Sequence, residues 1–381
     1  MRSSDKTTSD KLNGQKKKVL FILQLPPPVH GASMMNSYLV NSEIIKNNFD
    51  NKIIELRFVK SLNELRKFSL LKLWKAVIYY FRIFNELIFF DPDLVYLPVA
   101  PSGYAFYRDM FYIFLARIFR KRIVLHLHGK GIREVADKSS VKRYLYRRAF
   151  KNVYVICLTP RLISDIEGIY MSTPFIIPNG IGVKKSIPAW KQTAKNSIPQ
   201  ILYLSNYRRS KGLLVLIEAL KILKEEGHIF NARLVGAPGD LTIEFLQDLI
   251  GSRMLTDFIQ VTGPLYNEDK EKEFENADIF VLPTFFESFG LVNLEAMYHS
   301  LPVVSSVEGG IPDIVIDGVT GFLVEPGDTV MLAGKISLLL KDRDLRIEMG
   351  RNGYQRLIEN YTISHFENNI SNTFRTILRN N

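Results

Sequence analysis

The chain has 381 residues, of which 46% are hydrophobic and 23% charged, and it contains a single cysteine. These values are typical of a globular protein of two domains, and they exclude an internal disulfide framework and a wholly disordered chain. Residues 1–190 carry 31 Lys and Arg against 14 Asp and Glu, whereas residues 191–381 carry 19 against 25. The basic first half suits nucleic acid, an anionic membrane surface or another anionic partner, or is an ordinary solvated surface.

The start of the chain, residues 1–17, is polar and basic and is predicted to be a disordered lead-in. It has no apolar run of the kind that a secretory signal contains, so we expect a cytoplasmic protein. The most apolar stretches, 76–90 and 110–119, are interrupted by charged residues. Neither offers the ~20 uninterrupted apolar residues of a spanning helix, and no transmembrane segment is predicted.

Strand and helix patterns alternate from residue 18 onwards, as parallel sheets with crossover helices require. The first predicted strands are 19–23, 52–56, 94–97, 123–127 and 153–158. The second series is 200–204, 232–235, 258–261, 279–282, 302–305 and 321–324. The predicted fold class is therefore α/β, with two Rossmann-like doubly wound domains that face each other across a cleft.

The domain boundary is predicted where turn formers cluster and the periodicity lapses, between 177 and 199. We expect a first domain at 18–180, a linker at 181–199 and a second domain at 200–360. A last helix at 361–381 is expected to pack back on the first domain. Because ligands bind outside the carboxyl ends of the strands in such sheets, functional residues are expected in the strand-to-helix loops.

Two glutamates, Glu287 and Glu295, lie eight residues apart after a predicted strand of the second domain. The spacing can place one carboxylate near a sugar ring and the other near a ribose, although solvated helix faces often produce the same spacing. A helix is predicted to begin between the two glutamates, and its first backbone N–H groups would be free to hold sugar or phosphate oxygens. The residues that supply these groups are Phe289, Gly290 and Leu291.

The Glu-x7-Glu spacing, with Ser-Phe-Gly-Leu inside it and Ala directly after it, resembles the signature of the retaining glycosyltransferases of family 4, which have the GT-B fold. Segments 177–180, 308–313 and 317–324 resemble other loops of that family in the same order. One departure is Asp313, where members usually carry Glu. The resemblance covers most of residues 177–330 and is looser before them. It implies that Glu287 acts in catalysis and that Glu295 binds the donor.

A predicted cationic element lies at the start of the second domain, where Lys211 precedes Gly212. A lysine supplies a compact charge that neutralises a departing diphosphate. The pair resembles the family's Lys-Gly, which implies that Lys211 contacts the donor diphosphate. Members often carry Arg where Asn206 stands, so we assign Asn206 to the donor site and take Arg208 as the substitute second cation.

Two positions of the first domain complete the predicted site. Gly31 follows a proline-rich turn and precedes a helix, where a phosphate can approach the backbone closely, although a stiff turn explains the motif equally well. His126 and His128 share one strand face, but no third metal ligand stands at a fixed spacing. The resemblance implies that Gly31 approaches the reacting phosphate. It also implies that His128 binds the donor sugar or orients the acceptor.

An Asp-x-Asp motif at Asp91 and Asp93 matches the way another large glycosyltransferase fold coordinates a divalent metal. Pro92 ends a helix, and Asp93 leads into a strand at its amino end, away from the ligand side. We therefore expect no metal and no cofactor, with the sugar nucleotide as a substrate.

The resemblance implies a retaining transferase that moves a hexose-type sugar from a UDP- or GDP-sugar to an acceptor hydroxyl. Bacterial cell-surface polysaccharide or glycolipid synthesis, with a saccharide or lipid-linked acceptor, is the expected setting. Aromatic and basic residues in 58–122 are typical of a peripheral membrane surface at the inner face, but equally of buried helices. An epimerase or hydrolase on the same fold is the alternative. A nucleic-acid-binding protein is a remote one, because the basic residues are scattered over helices.

Overall fold

A computed structural model describes residues 16–58, 70–183 and 197–379. Residues 1–15 of the predicted lead-in and residues 184–196 of the predicted linker lie outside the described residues. The predicted end of the lead-in at residue 17 is wrong, because Lys17 already pairs with Phe49 in the first strand. The strands are β1 Lys17–Leu23, β2 Phe49–Glu55, β3 Leu94–Pro98, β4 Arg122–Leu127, β5 Tyr154–Cys157, β6 Phe175–Ile176, β7 Gln200–Leu204, β8 Asn231–Val235, β9 Ile259–Thr262, β10 Ile279–Leu282, β11 Val303–Ser306 and β12 Gly321–Val324.

Helices alternate with these strands along the chain. They are α1 Gly31–Asn41, α2 Glu43–Asn48, α3 Leu70–Phe89, α4 Gly103–Ile118, α5 Ile132–Ala136, α6 Ser140–Phe150, α7 Leu213–Glu225, α8 Ile243–Ser252, α9 Asn267–Asn276, α10 Leu291–Tyr298, α11 Ile311–Ile314, α12 Thr329–Lys341, α13 Arg343–Asn360 and α14 Ile363–Arg379. Short 3-10 helices cover Pro160–Ile166 and Arg209–Lys211. Among the helices in the described part of the chain, none is long and apolar enough to cross a membrane.

The strands form two parallel sheets of six, which confirms the predicted α/β fold of two doubly wound units. The orders are β2-β1-β3-β4-β5-β6 and β12-β11-β10-β7-β8-β9. The strand order reverses between β1 and β3 in the first sheet and between β7 and β10 in the second. These switch points are where doubly wound sheets open a crevice for a ligand. Strand β6 was not predicted, because its two residues are too short to leave a periodic pattern.

Each sheet is buried on both faces, since helices cover both sides of a parallel sheet. One face of the first sheet packs against α14, the last helix of the chain, through a cluster that includes Phe21, Phe366 and Phe374. The rings of Phe21 and Phe374 lie 6.1 Å apart between centroids. The last helix thus completes the core of the first unit, although the chain has passed through the second unit before reaching it.

The chain crosses between the two units twice, and the two crossings lie side by side. Ile181 donates its N–H to the Tyr361 carbonyl at 2.9 Å, and Ile363 donates to the Ile181 carbonyl at 2.9 Å. A Cβ at Gly180 would lie only 2.3 Å from the Thr362 oxygen, so glycine is required for this close approach.

Candidate active site

The two units face each other at the first turns of α1 and α10. A Cβ added to Gly31, the first residue of α1, would lie 3.5 Å from Cδ1 of Leu291, the first residue of α10. The first N–H groups of a helix have no acceptor within the helix and carry partial positive charge. The fold therefore brings two anion-attracting helix starts together, one from each unit.

Lys211 and Glu287 meet at the switch point of the second sheet, after β7 and β10. Lys211 Nζ lies 2.7 Å from Glu287 Oε2 and donates to the Phe286 carbonyl at 3.0 Å. The other oxygen of Glu287 accepts the Ser288 N–H at 3.1 Å. Each side chain of the pair is 22% exposed, so the ion pair is half-buried and open to the cleft.

Three glycines allow the backbone of these loops to pack closely. Gly212 has φ +72°, and a Cβ there would lie 1.7 Å from the Pro283 oxygen. Gly309 has φ +53°, and a Cβ there would lie 1.9 Å from the Glu287 oxygen. Gly290, at φ +85°, is the residue before α10. Glycine is the residue that adopts these left-handed conformations without strain, so these positions fix the path of the Lys211 and Glu287 loops.

Glu295 lies in the second turn of α10, and its Oε1 accepts a hydrogen bond from Lys270 Nζ at 2.7 Å. Burial raises the pKa of Glu295, and the ammonium of Lys270 opposes that rise. Lys270 belongs to α9 and was not among the predicted site residues. The charge run in 268–273 is typical of an ordinary solvated helix, and nothing in the sequence shows that one of its lysines reaches Glu295.

The histidines follow β4 in the first unit. His126 is fully buried, and its Nδ1 lies 2.6 Å from the Tyr96 hydroxyl. The rings of His126 and His128 lie 4.0 Å apart between centroids. Both ring nitrogens of His128 are enclosed and have no hydrogen-bond partner among the described residues. Burial, with a smaller contribution from repulsion by His30, lowers the pKa of His128 to about 3, so this imidazole is neutral at physiological pH.

Lys130 forms an ion pair with Glu308 that joins the two units. Its Nζ also lies 4.9 Å from the centroid of the Phe286 ring. Glu308 Oε1 in turn accepts the backbone N–H of Glu287 at 3.1 Å. The loop of Lys130 is held by Asp165, whose carboxylate accepts the N–H groups that begin α5. The ion pair between Lys130 and Glu308 was not predicted, because the two residues are 178 positions apart and no local pattern links them.

The remaining predicted donor residues lie on the same loops with fewer contacts. The side chain of Phe289 is buried in the core of the second unit, so only its backbone is available to a ligand. Arg208 donates its backbone N–H to the Asn206 carbonyl at 2.8 Å. Within the described ranges, neither the guanidinium of Arg208 nor the amide of Asn206 has a hydrogen-bond or ionic partner. Their roles stay predictions.

Asp91 and Asp93 lie at the amino end of β3, away from the cleft. Asp91 pairs with Lys121, and Asp93 accepts the Lys18 N–H at 2.8 Å and the Lys17 ammonium at 3.1 Å. Both carboxylates are therefore already paired with lysines. In residues 16–58, 70–183 and 197–379, no group of three or more His, Cys, Asp and Glu side chains is arranged to hold a metal ion.

Two facing doubly wound units with a cleft between them define a class of α/β proteins. Comparison with solved structures identifies the fold of that class. A glycosyltransferase from Rickettsia africae superposes with a TM-score of 0.72 at 18% identity, over 96% of this chain and 100% of that one. Anabaena HepE in complex with UDP and glucose superposes with a TM-score of 0.68 at 18% identity, over 94% and 100%. The chain therefore has the GT-B fold, as the resemblance implied.

Sequence comparison identifies the second unit. Residues 187–356 match the family model of the glycosyl transferases group 1. The capsular polysaccharide biosynthesis glycosyltransferase CapM of Staphylococcus aureus is 31% identical over 177 residues, 46% of each chain. The D-inositol 3-phosphate glycosyltransferase of Corynebacterium diphtheriae is 27% identical over 231 residues, 56% of this chain and 54% of that one. The chain spans about half the length of these curated relatives. Residues 187–356 therefore form a glycosyl transferases group 1 domain, in agreement with the motifs of that segment.

Proposed function

We propose that the protein is a retaining glycosyltransferase that moves a hexose-type sugar from a UDP- or GDP-sugar to an acceptor hydroxyl. The observation that carries the proposal is the pairing of Lys211 with Glu287 on the loop that leads into α10, the helix that contains Glu295 and begins opposite Gly31 of the first unit. The similarity to CapM, a glycosyltransferase of capsular polysaccharide biosynthesis, favours capsular or other cell-surface polysaccharide synthesis. The similarity to HepE, which was solved in complex with UDP and glucose, favours a nucleotide-sugar donor.

The cations of the cleft suit a departing diphosphate. Cleavage of the bond between sugar and phosphate builds positive charge on the sugar ring and negative charge on the diphosphate. Lys211 is paired with Glu287 when no donor is bound, and a diphosphate would replace Glu287 as the partner of its ammonium. The free N–H groups at the starts of α1 and α10 add positive potential on either side. Glu287, released from the lysine, then accepts hydrogen bonds from sugar hydroxyls.

The neutral state of His128 bears on where the acceptor proton goes. An imidazole whose pKa is about 3 is a weak base at pH 7 and a poor acceptor of the acceptor's proton. We therefore assign His128 to hydrogen bonding with the sugar or acceptor. The leaving phosphate, on the same face of the sugar, takes the proton, and attack from that face retains the configuration. No metal or other cofactor enters this proposal.

An epimerase or hydrolase on the same fold is the alternative. Carboxylates that act as acid and base across one bond lie about 5–9 Å apart on the two sides of that bond. Here Glu287 pairs with Lys211 and Glu295 with Lys270, so each carboxylate is held by its own lysine. This arrangement suits binding of two different hydroxyl groups better than acid and base roles at one bond.

The outer face of α3 bears on where the protein binds its acceptor. Tyr79 and Ile83 lie on the inner face of this helix, which is buried. The outer face exposes large apolar side chains, among them Trp74 at 64%, Phe81 at 60% and Phe89 at 82%. An amphipathic helix with exposed aromatics in a basic domain lies well on an anionic bilayer surface. We propose peripheral contact with the inner face of the cell membrane and a lipid-linked saccharide acceptor.

The donor test is a thermal-shift screen of UDP-, GDP- and ADP-sugars, because a ligand of the folded state raises its apparent stability. The binding sugar nucleotide is then incubated with and without saccharide and lipid-linked acceptors. A glycosylated product of retained configuration, formed when acceptor is present, supports the proposal. Free sugar or an epimerised sugar nucleotide formed without acceptor identifies the alternative. Absence of any sugar-nucleotide binding contradicts both.

The membrane test is cosedimentation with vesicles of phosphatidylethanolamine and phosphatidylglycerol, and with vesicles of phosphatidylcholine alone. We expect binding to the anionic vesicles, and its loss in Trp74→Glu and Phe81→Glu. Val330→Glu, at a residue of the second unit that is 73% exposed, is the matched control and should bind like the wild type. Equal binding of all variants, or no wild-type binding, would remove the membrane contact from the proposal without affecting the donor site.

A further inference from the structure

His30 is held by a reciprocal pair of hydrogen bonds at the start of α1. Its Nδ1 accepts the backbone N–H of Ser33 at 3.3 Å, and the Ser33 hydroxyl accepts the backbone N–H of His30 at 3.0 Å. The same hydroxyl donates to the Pro28 carbonyl at 2.8 Å. Ser33 is fully buried. The imidazole is thus the cap of α1, and its ring orientation is set by the helix itself.

This cap also determines where the ring carries its proton. A nitrogen that accepts a hydrogen bond from an N–H carries no proton, so the neutral ring of His30 has its proton on Nε2. Burial lowers the pKa of His30, which favours this neutral form. The Nε2 atom is enclosed and has no hydrogen-bond partner among the described residues. His30 therefore presents a donor with a fixed direction and no acceptor, an arrangement that is unfavourable unless a ligand supplies one.

The surroundings of His30 place this donor at the meeting point of the two units. The next residue, Gly31, faces Leu291 at the start of α10. His30 is also close enough to His128 to lower the pKa of that histidine. On the opposite helix, Asn293 is fully buried, and both atoms of its side-chain amide lack a hydrogen-bond partner among the described residues. Unsatisfied polar groups thus occur in both units close to the starts of α1 and α10.

We propose that His30 is a donor-binding residue whose Nε2–H donates a hydrogen bond to a phosphate oxygen of the sugar nucleotide. The inference rests on the proposed function and adds a residue to it. A phosphate oxygen is the favoured partner because the donor stands beside the free N–H groups of α1, where negative charge is stabilised. A neutral imidazole donor keeps this contact without adding a charge that would have to be desolvated in the cleft.

Two substitutions separate the cap from the donor. In His30→Asn the amide oxygen takes the place of Nδ1, and Asn is a good helix cap, but the group that reaches the ligand is lost. In His30→Gln the amide nitrogen reaches the position of Nε2, whereas the cap is lost. Each variant and the wild type are titrated calorimetrically with UDP and GDP, and their melting temperatures and steady-state KM and kcat values are measured.

We expect His30→Asn to melt within about 1 °C of the wild type and to bind the nucleoside diphosphate about 10-fold or more weakly, as loss of a hydrogen bond to a charged group predicts. His30→Gln should melt about 2–4 °C lower and bind more tightly than His30→Asn. Wild-type affinity in His30→Asn would overturn the inference, and so would an effect confined to the KM of the acceptor. Failure of the wild type to bind either diphosphate would instead overturn the proposed function.

Discussion

The ion pair of Lys211 and Glu287 yields a prediction in which stability and activity respond differently to the same substitutions. Lys211→Met leaves a half-buried carboxylate without its partner, and Glu287→Gln leaves a half-buried ammonium. The double variant leaves neither. Its stability should therefore recover part of what each single variant loses. Its activity should not, because in the proposed mechanism the departing diphosphate still lacks the ammonium of Lys211.

The magnitude follows from the 2.7 Å separation and the 22% exposure of both side chains. At an effective dielectric constant of about 20, two unit charges at this distance attract by about 6 kcal/mol, most of which desolvation offsets. We expect each single variant to lose about 1–3 kcal/mol of stability, with a coupling energy of about 1–2 kcal/mol in the double-variant cycle. For transfer, loss of one charge-stabilising group predicts a decrease in kcat/KM of at least ~10-fold and on the order of 100-fold.

The assay compares melting temperatures and kcat/KM for the four proteins of this cycle. The exposed pair of Lys138 and Glu134 on the surface of the first unit, 2.9 Å apart, is the matched control, with an expected coupling below about 0.5 kcal/mol. Near wild-type kcat/KM in Lys211→Met would refute the assignment of Lys211 to the diphosphate. Strictly additive losses of stability would refute the claim that the pair stabilises the donor-free cleft.

Three further predictions concern protonation and backbone packing. Lys270→Ala should raise the pKa of Glu295 further. A carboxyl whose pKa is raised in the folded state makes the protein less stable as the pH rises through that pKa, so the variant's melting-temperature deficit should be larger at pH 8 than at pH 5. Equal deficits at the two pH values would contradict this. His128→Gln should lose less stability than the wild type between pH 7 and pH 4.5, because a histidine whose folded-state pKa is lowered to about 3 destabilises the fold as pH falls below 6.5. If the variant and the wild type lose the same stability over this range, groups other than His128 cause the loss. Gly212→Ala, with a Cβ 1.7 Å from a backbone oxygen, should lower the melting temperature by about 10 °C or more. The control is Gly318→Ala, because Gly318 has nearly the same φ of +74° but open space around it, and this variant should lower the melting temperature by about 2–4 °C. Similar losses in the two variants would show that the backbone conformation, and not the clash, dominates.

Hydrophobic periodicity was sufficient to predict the two sheets, because parallel strands that are buried on both faces appear in a sequence as short, continuous apolar runs. Eleven strands were predicted in chain order, and β6, with two residues, was not. Observed bounds differ by a few residues, as at β2, which begins at residue 49 instead of the predicted 52. Such ends depend on the partner strand: residues 49–51 pair with 17–19 of β1, and their own apolar pattern is weak.

The candidate site was predictable only as a set of loops. The motifs and their order along the chain placed Gly31, His128, Lys211 and Glu287 in segments that follow strands, and Glu295 in the helix after Glu287. The structure brings the start of that helix against Gly31 of the first unit. The partners that hold these side chains could not be predicted, since a charged residue has the same local pattern whether it is solvated or paired.

What the amino-acid sequence by itself determined is therefore the local part of the protein: strands, helix starts, the glycines that the loops need and the motifs of a glycosyl transferases group 1 domain. Only the tertiary structure decided which charges meet, as in the pairs of Lys130 with Glu308 and of Lys270 with Glu295. It also decided that burial lowers the pKa of His128. The physical reason is that ion pairing and desolvation depend on distances between groups far apart in the chain, and those distances are set by the packing of the two sheets.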